Sequence, residues 1–446
     1  MPPQPRSSIG IRAGLSALCM VVLAGLAGCA PAAPSAPVTL RLQVGLTPEE
    51  LASFRPALAA LDAANPAWTV VLEEIPQGAE IERITTQLAG GDLPDVLRVT
   101  GANVQQWIRR DAFLNLDDRI VAAGLDLADF YPGPLAQFTW QDAVWGVPDT
   151  ASPEVVFYDK AAFADAGLAA PTADWTLDDM RTAALALTVD SAGRNPGDAG
   201  FDPATIERWG WNGGVTYFWQ NAYIQARGGE LCGNEDCTQM TFTGPANEAA
   251  FEWWVGLVRD DHAALYDPYG GSQTGVPGDP FLSGSAAMGA NGAFAIGQLD
   301  AAGTIDYGVV PPFLGTDGER RTALSTNGYV LAADTEHPDE AWALVQALLD
   351  PAFLSSTWGA PGHAVPARRS ATGSVAGDAD ASVREAILAA MEVGEVFRPF
   401  TSGAFDAYGR TVDLFRSMNT GRLAIPDALA QIEVAANEAL AADRVP

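Results

Sequence analysis

Lysine is almost absent from this chain. Lys160 stands alone among 25 basic residues, against 55 acidic ones, and the 446 residues carry a formal charge of −30. A polymer this acidic repels phosphate backbones and has no basic cluster to offset the repulsion, which argues against nucleic acid as a partner. Histidine is scarce too: His262, His337 and His363 never fall in HxxxH or HxH spacing, so a histidine-rich metal centre is not expected, nor any cofactor. No GxSxG, P-loop or HExxH string occurs, and no internal repeat. Charged residues are few, at 18%, but hydrophobic ones reach 48%, which excludes disorder as the general state. The length suggests two domain-sized units rather than one small core.

What is present begins with an address. Arg6 and Arg12 precede an apolar run from about Leu15 to Leu26, then Leu26-Ala27-Gly28-Cys29. A short positive region, a brief apolar stretch and small residues describe an export signal over residues 1–29, too short for a comfortable membrane span. The Leu-Ala-Gly-Cys ending resembles the bacterial lipobox, in which the cysteine is acylated and becomes the first mature residue. Cys29 is thus the expected lipid attachment, with an ordinary secretory signal as the alternative. Acyl chains would anchor a soluble body, at roughly 0.8 kcal/mol per buried methylene. Residues 30–37, with PAAPSAP, read as an extended tether. Outside the cytoplasm, Cys232 and Cys237, across a Gly-Asn-Glu-Asp turn, are expected to form a disulfide closing a hairpin tip.

Periodicity then predicts strand, helix, strand, helix, strand over Val38–Val44, Pro48–Asn65, Trp68–Leu72, Glu80–Ala89 and Val96–Val99. That alternation implies parallel crossovers and an α/β sheet flanked by helices. Further helices are predicted over Trp175–Leu187, Glu248–Val258, Glu340–Leu349, Val383–Met391 and Ile425–Ala442, with short strands at Tyr307–Val310 and Tyr329–Leu331.

Six strings taken in order carry a resemblance. They are Gly91-Asp-Leu-Pro-Asp-Val96 with Leu114–Asp118, Trp145-Gly-Val-Pro148, Val155–Lys160 with Phe163, Ala166–Leu168 and Trp175–Leu177, Phe281–Gly284 with Ala287–Phe294, His337–Trp342, and Gly362–Pro366. Together they resemble bacterial extracellular solute-binding proteins of family 1, the maltose-binding-protein-like group serving ABC importers. Asp159 stands where that group usually has Asn, and Phe294 where it usually has Trp. The resemblance implies a two-lobe periplasmic-binding-protein-like fold (type II), each lobe a mainly parallel sheet flanked by helices, with three hinge crossings near Thr150–Glu154, Thr322–Thr326 and Phe397–Ser402. Lobe one would be 38–149 plus 327–396; lobe two would be 151–324 plus 401–446. Ser152-Pro153 and Arg398-Pro399 are the expected pivots.

A sugar presents hydroxyls at its edge and C–H bonds on its face, so its site needs flat aromatics beside Asp, Asn, Glu or Arg. By position in the family, Phe294 is the expected stacking ring, with Asn291 beside it. Trp211 and Trp219 belong to the densest aromatic stretch and are divided between cleft and core. Asn103 is a polar contact or a helix cap; Asp149 and Glu154 flank the first crossing; Asn327 is a contact or an ordinary turn residue. Asp406 falls near a position where relatives carry a stacking aromatic. Trp145 and Trp358 are expected in the core. The reading is therefore a monomeric, extracytoplasmic, lipid-anchored receptor, periplasmic where an outer membrane exists, that captures a mono- or oligosaccharide for an ABC permease and is not an enzyme. Its acidity keeps a cationic or polyol solute such as a polyamine open as the cargo, through carboxylates and cation–π contacts. A secreted carbohydrate-active lipoprotein enzyme is the remaining alternative, which needs two carboxyls facing across a sugar.

Overall fold

The computed structural model describes residues 37–76, 78–213, 221–234, 237–266, 279–375, 381–396 and 402–442. The opening alternation is as the periodicity predicts: β1 (Val38–Gly45), α1 (Pro48–Ala64), β2 (Trp68–Ile75), α2 (Glu80–Gly90) and β3 (Val96–Thr100). Local chemistry sets the boundaries. Thr47 and Glu50 form a capping box ahead of α1, with Pro48 in its first turn. Gly91, at φ 63°, ends α2 in the left-handed conformation that glycine adopts without strain. β1 pairs in parallel with both β2 and β3.

Next come α3 (Gly101–Ile108), α4 (Asp117–Ala123), α5 (Pro132–Gln137), the hairpin β4 (Thr139–Trp140) and β5 (Ala143–Val144), and the long strand β6 (Val147–Asp159). Asp159 caps α6 (Lys160–Asp165) by accepting from the Ala161 and Ala162 amides, which gives a local reason for an acid at that position. Thr176 and Asp179 box the start of α7 (Leu177–Leu187). Trp175, expected inside that helix, stays outside it and stacks on Phe313. β7 (Val189–Asp190) and β8 (Ile206–Arg208) pair, followed by α8 (Asn221–Ala226), α9 (Pro245–Arg259), β9 (Met288–Gly292), α10 (Ala295–Ala302) and β10 (Tyr307–Val310). β11 (Thr322–Leu331) returns, then α11 (Pro338–Leu348), α12 (Pro351–Leu354), β12 (Val365–Pro366), α13 (Ala381–Val393), β13 (Gly394–Val396), α14 (Ser402–Asn419) and α15 (Ile425–Ala442).

Nine strands make one mixed sheet, ordered β10-β6-β11-β3-β1-β2, with β9 and β12 on β6 and β13 on β11. Parallel pairing, expected to dominate, holds for β2-β1-β3 and β11-β13. Around it the sheet is antiparallel: β6 and β11 run against each other, β11 against β3, and β6 against β9 and β10. The reason is that β6 and β11 carry the chain in opposite directions along one ladder. Ser152-Pro153, an expected pivot, lies inside β6 with its ladder to β11 continuous. Arg398-Pro399 falls outside the described residues.

The hydrophobic core is divided. One cluster gathers side chains from β1, α1, α11 and the segment around Trp358. Another gathers Met180, Trp211, Phe251, Phe415 and Ile432 from the middle and end of the chain. A third lies behind the crossing strands, where Ala151, Val155 and Leu324 meet Ile387 and Met391 of α13. Ala102, at the start of α3, joins the cluster of Trp211, so the turn after β3 touches the other body.

Candidate functional site

The site begins with the pairing of β6 and β11. Ser152 opposes Ser325, Thr150 opposes Asn327, and Asn327 in turn opposes Thr100 on β3. Directly opposed residues share a face, and side chains alternate along a strand. Glu154, Ser152, Ser325, Asn327 and Thr100 therefore stand on one face. Burial agrees: along β11, Thr322, Leu324 and Thr326 are buried while Ala323, Ser325 and Asn327 are half-open. One face of the crossing is packed on α13; the other is a polar stripe.

Phe294 lies at one end of that stripe, where it also packs against the third core cluster. Gly292 opposes Glu154, and a Cβ placed on Gly292 would collide with Phe294 Cε1. The ring thus occupies the side-chain space of Gly292, beside the Glu154 side chain. Only a residue without a side chain lets it lie there. Glu154 itself is 9% exposed. Its carboxylate accepts from the Tyr223 hydroxyl at 3.3 Å, and its carbonyl accepts from Thr322 Oγ1 at 2.8 Å. Burial pushes this carboxyl up to about 8, with the Tyr223 hydrogen bond pulling the other way.

At the other end, Glu80 opens α2 and reaches the end of β3. Its carboxylate accepts from the Thr100 amide at 3.1 Å and from Thr100 Oγ1 at 2.9 Å. Burial pushes it up to about 7, against hydrogen bonds from Thr100 and Asn103 and the charge of Arg98. Asn103 is 9% exposed, and its Oδ1 has no partner. Asn327 Oδ1 lies 3.3 Å from Thr100 Oγ1. Ser152 Oγ, midway along the stripe, is buried without a partner. Unpaired buried oxygens of this kind are costly, at about 1–3 kcal/mol each, unless something docks on them.

The structure thus brings Phe294, Glu154, Asn327 and Asn103 onto or beside one stripe. Asn103 lies within α3, not at its cap, and Asn327 lies within a strand, not in a turn. The other candidates are placed otherwise. Asp149 is fully buried and does not reach an open surface: it pairs with Arg98 Nε at 2.7 Å, and Arg98 stacks on Trp358 at 4.5 Å. Asn291 is buried and turned to Asp279 at 3.1 Å, while its own Oδ1 holds the Gly292 amide; it positions the strand under Phe294. Trp211 packs in the core near Phe313. Asp406 is exposed and paired with Arg410 on α14. Trp219 lies outside the described residues. Trp358 is buried as expected, whereas Trp145 is only partly so. Cys232 and Cys237 are disulfide-bonded. Sequence reasoning missed Glu80, Tyr223, Ser152 and Ser325; polar residues alternating through TASPEVV and ALSTNG were the available signal for the serines.

Beside β13, a cavity of about 630 Å³ opens between α5 and α8; Cys232 lines it, but none of the candidate ligand-binding residues does. Among the described residues no group of three or more His, Cys, Asp or Glu is arranged to hold a metal. Nor, among them, is any helix long and apolar enough to cross a membrane.

These features define an α/β clamp with a polar stripe across its crossing strands, and comparison with known proteins gives that class a name. The family model of bacterial extracellular solute-binding proteins matches residues 45–353, and the chain belongs to that family. A Brucella abortus (strain 2308) protein described as a binding protein is 25% identical over 310 residues, 66% of this chain and 68% of its own length. Among solved structures, UspC of M. tuberculosis superposes with a TM-score of 0.72 at 24% identity, covering 90% of this chain and 100% of that one. The ABC substrate-binding protein Lmo0181 from Listeria monocytogenes, in complex with cycloalternan, gives 0.74 at 20%, covering 91% and 99%. The sugar-binding protein MalE from Xanthomonas citri gives 0.74 at 18%, covering 91% and 98%. The fold is therefore the two-lobe fold of periplasmic solute-binding proteins, in a family that is extracellular. The family and these structures are of binding proteins rather than enzymes.

Proposed function

We propose that this chain is a monomeric, lipid-anchored receptor, tethered through Cys29, that captures a carbohydrate between its lobes and hands it to an ABC permease. The lobes would be 38–149 plus 327–396 and 151–324 plus 401–446, hinged where β6 and β11 pair. The observation that carries the carbohydrate reading is the stripe itself. A flat ring, Phe294, lies at one end of a row of hydroxyls, amides and carboxyls, and its position is permitted by the bare Gly292. Aromatic face plus polar edge is the combination a pyranose needs. The sugars bound by the structural relatives support the same class. Closure follows from differential contact: a solute touching both lobes favours the closed form in proportion to the contacts that form alone supplies.

Calorimetry with mono- and oligosaccharides tests this reading. Saturable, stoichiometric binding without turnover is the expected outcome, with Phe294→Ala weakening it about tenfold, or about 1.4 kcal/mol. Unchanged affinity in Phe294→Ala, with the fold intact, would reject the stacking assignment. Labelling with a radioactive fatty acid, lost in Cys29→Ala, tests the anchor.

A further inference from the structure

The stripe holds a buried acid that the described residues leave without a countercharge. Glu154 is nine-tenths buried, and one tyrosine hydroxyl is the side-chain donor the structure gives it. Among the described residues no basic side chain pairs with it. Arg98 spends its Nε on Asp149 and its Nη2 on Thr150 Oγ1, and Lys160 pairs with Asp306. Burial holds the group as the neutral acid when nothing is bound, and an ammonium against it would favour the charged form. The surroundings suit a cation in a second way, because the Phe294 ring lies over Gly292, which faces Glu154. An aromatic face beside a desolvated ammonium adds cation–π attraction. Farther along, the groups are of neutral polar type: Ser152 Oγ and Asn103 Oδ1 are both buried and unpartnered. The four residue steps from Thr150 to Glu154 alone span about 13 Å of strand, so the stripe outreaches a single pyranose ring.

We infer that the solute is an aminated sugar, its ammonium seated on Glu154 beside Tyr223 and Phe294 and its hydroxyls meeting Ser152, Asn327 and Asn103. This rests on the carbohydrate reading above and narrows it, joining the two cargo classes that the acidity and the aromatics suggest separately. Glu80 is not the ammonium seat, because Thr100 and Asn103 already supply its donors.

The test uses the full chain in detergent, titrated calorimetrically with glucosamine, glucose and N-acetylglucosamine, and with the β-1,4 disaccharide of each. The amine-bearing member is expected to bind at least tenfold more tightly than both neutral partners, and Glu154→Gln to bring the three within about twofold of one another. Circular dichroism checks that the variant is folded. Neutral sugars binding as tightly as the amine, or a preference that survives Glu154→Gln, overturns the inference while leaving the carbohydrate reading in place. Binding of 1,4-diaminobutane with none of any sugar overturns both.

Discussion

Two buried carboxyl groups at opposite ends of one stripe have been treated differently by the fold. Glu80 sits in a cradle: a backbone amide, a hydroxyl and an amide side chain converge on it from β3 and α3. Glu154 has one hydroxyl at 3.3 Å. A third acid, Asp149, shows the fully solved case, with Arg98 against it and Trp358 over the guanidinium. The comparison teaches that burial alone does not mark a binding group. What separates them is whether the chain itself supplies the partners. Asp149 and Glu80 are matched from within, whereas among the described residues Glu154 meets a single hydroxyl.

The largest expected effect comes from breaking the matched case. Arg98→Met strands Asp149 as a buried, unpaired charge, and a loss of about 3–5 kcal/mol is expected in urea unfolding. Next comes the pH profile of the unliganded chain. Glu154 keeps its proton to about 8 when folded, against 4.5 ordinarily. Between those values the native state binds more protons than the unfolded one, so stability falls as pH rises through that window. Glu154→Gln removes this contribution. Its melting temperature should exceed that of the wild type by a widening margin from pH 5 to pH 9, read by calorimetry. A margin constant with pH would show that Glu154 is not held neutral. Glu80, pushed up to about 7, acts in the same direction and keeps a residual slope in the variant.

Smaller effects sharpen the picture at each end. Gly292→Ala leaves the strand pairing possible but displaces the Phe294 ring, so solute affinity should fall by several fold with little change in melting temperature. Thr100→Val removes the hydroxyl that serves Glu80. A stability loss of about 1 kcal/mol is expected in equilibrium unfolding, confined to the end of the stripe that the chain satisfies by itself.

Much of this architecture was legible in order of residues. The opening β-α-β-α-β run and the disulfide pair follow from local pattern. The site was legible only in part. Asp149 and Glu154 read alike as acids flanking a crossing, because nothing local says that Arg98, fifty-one residues away, will reach the first and not the second. Glu80 reads as a helix-starting acid, which it is, and its bond to Thr100 depends on α2 and β3 ending side by side. Trp211 and Asn291 were drawn toward the solute by their type, yet their neighbours Phe313 and Asp279 come from distant segments.

By itself, the order of amino acids determined which stretches become strands and helices, that the chain is acidic, and which family it joins. Those properties live in near-neighbour spacing and in bulk composition. Tertiary structure alone decided which acid is neutralised from within and which face of the crossing strands stays open. It also set a phenylalanine over a glycine beside Glu154. Such pairings join segments 51 residues apart, as Arg98 and Asp149, or more than a hundred apart, as Glu154 and Gly292, where register, not adjacency, chooses the partner.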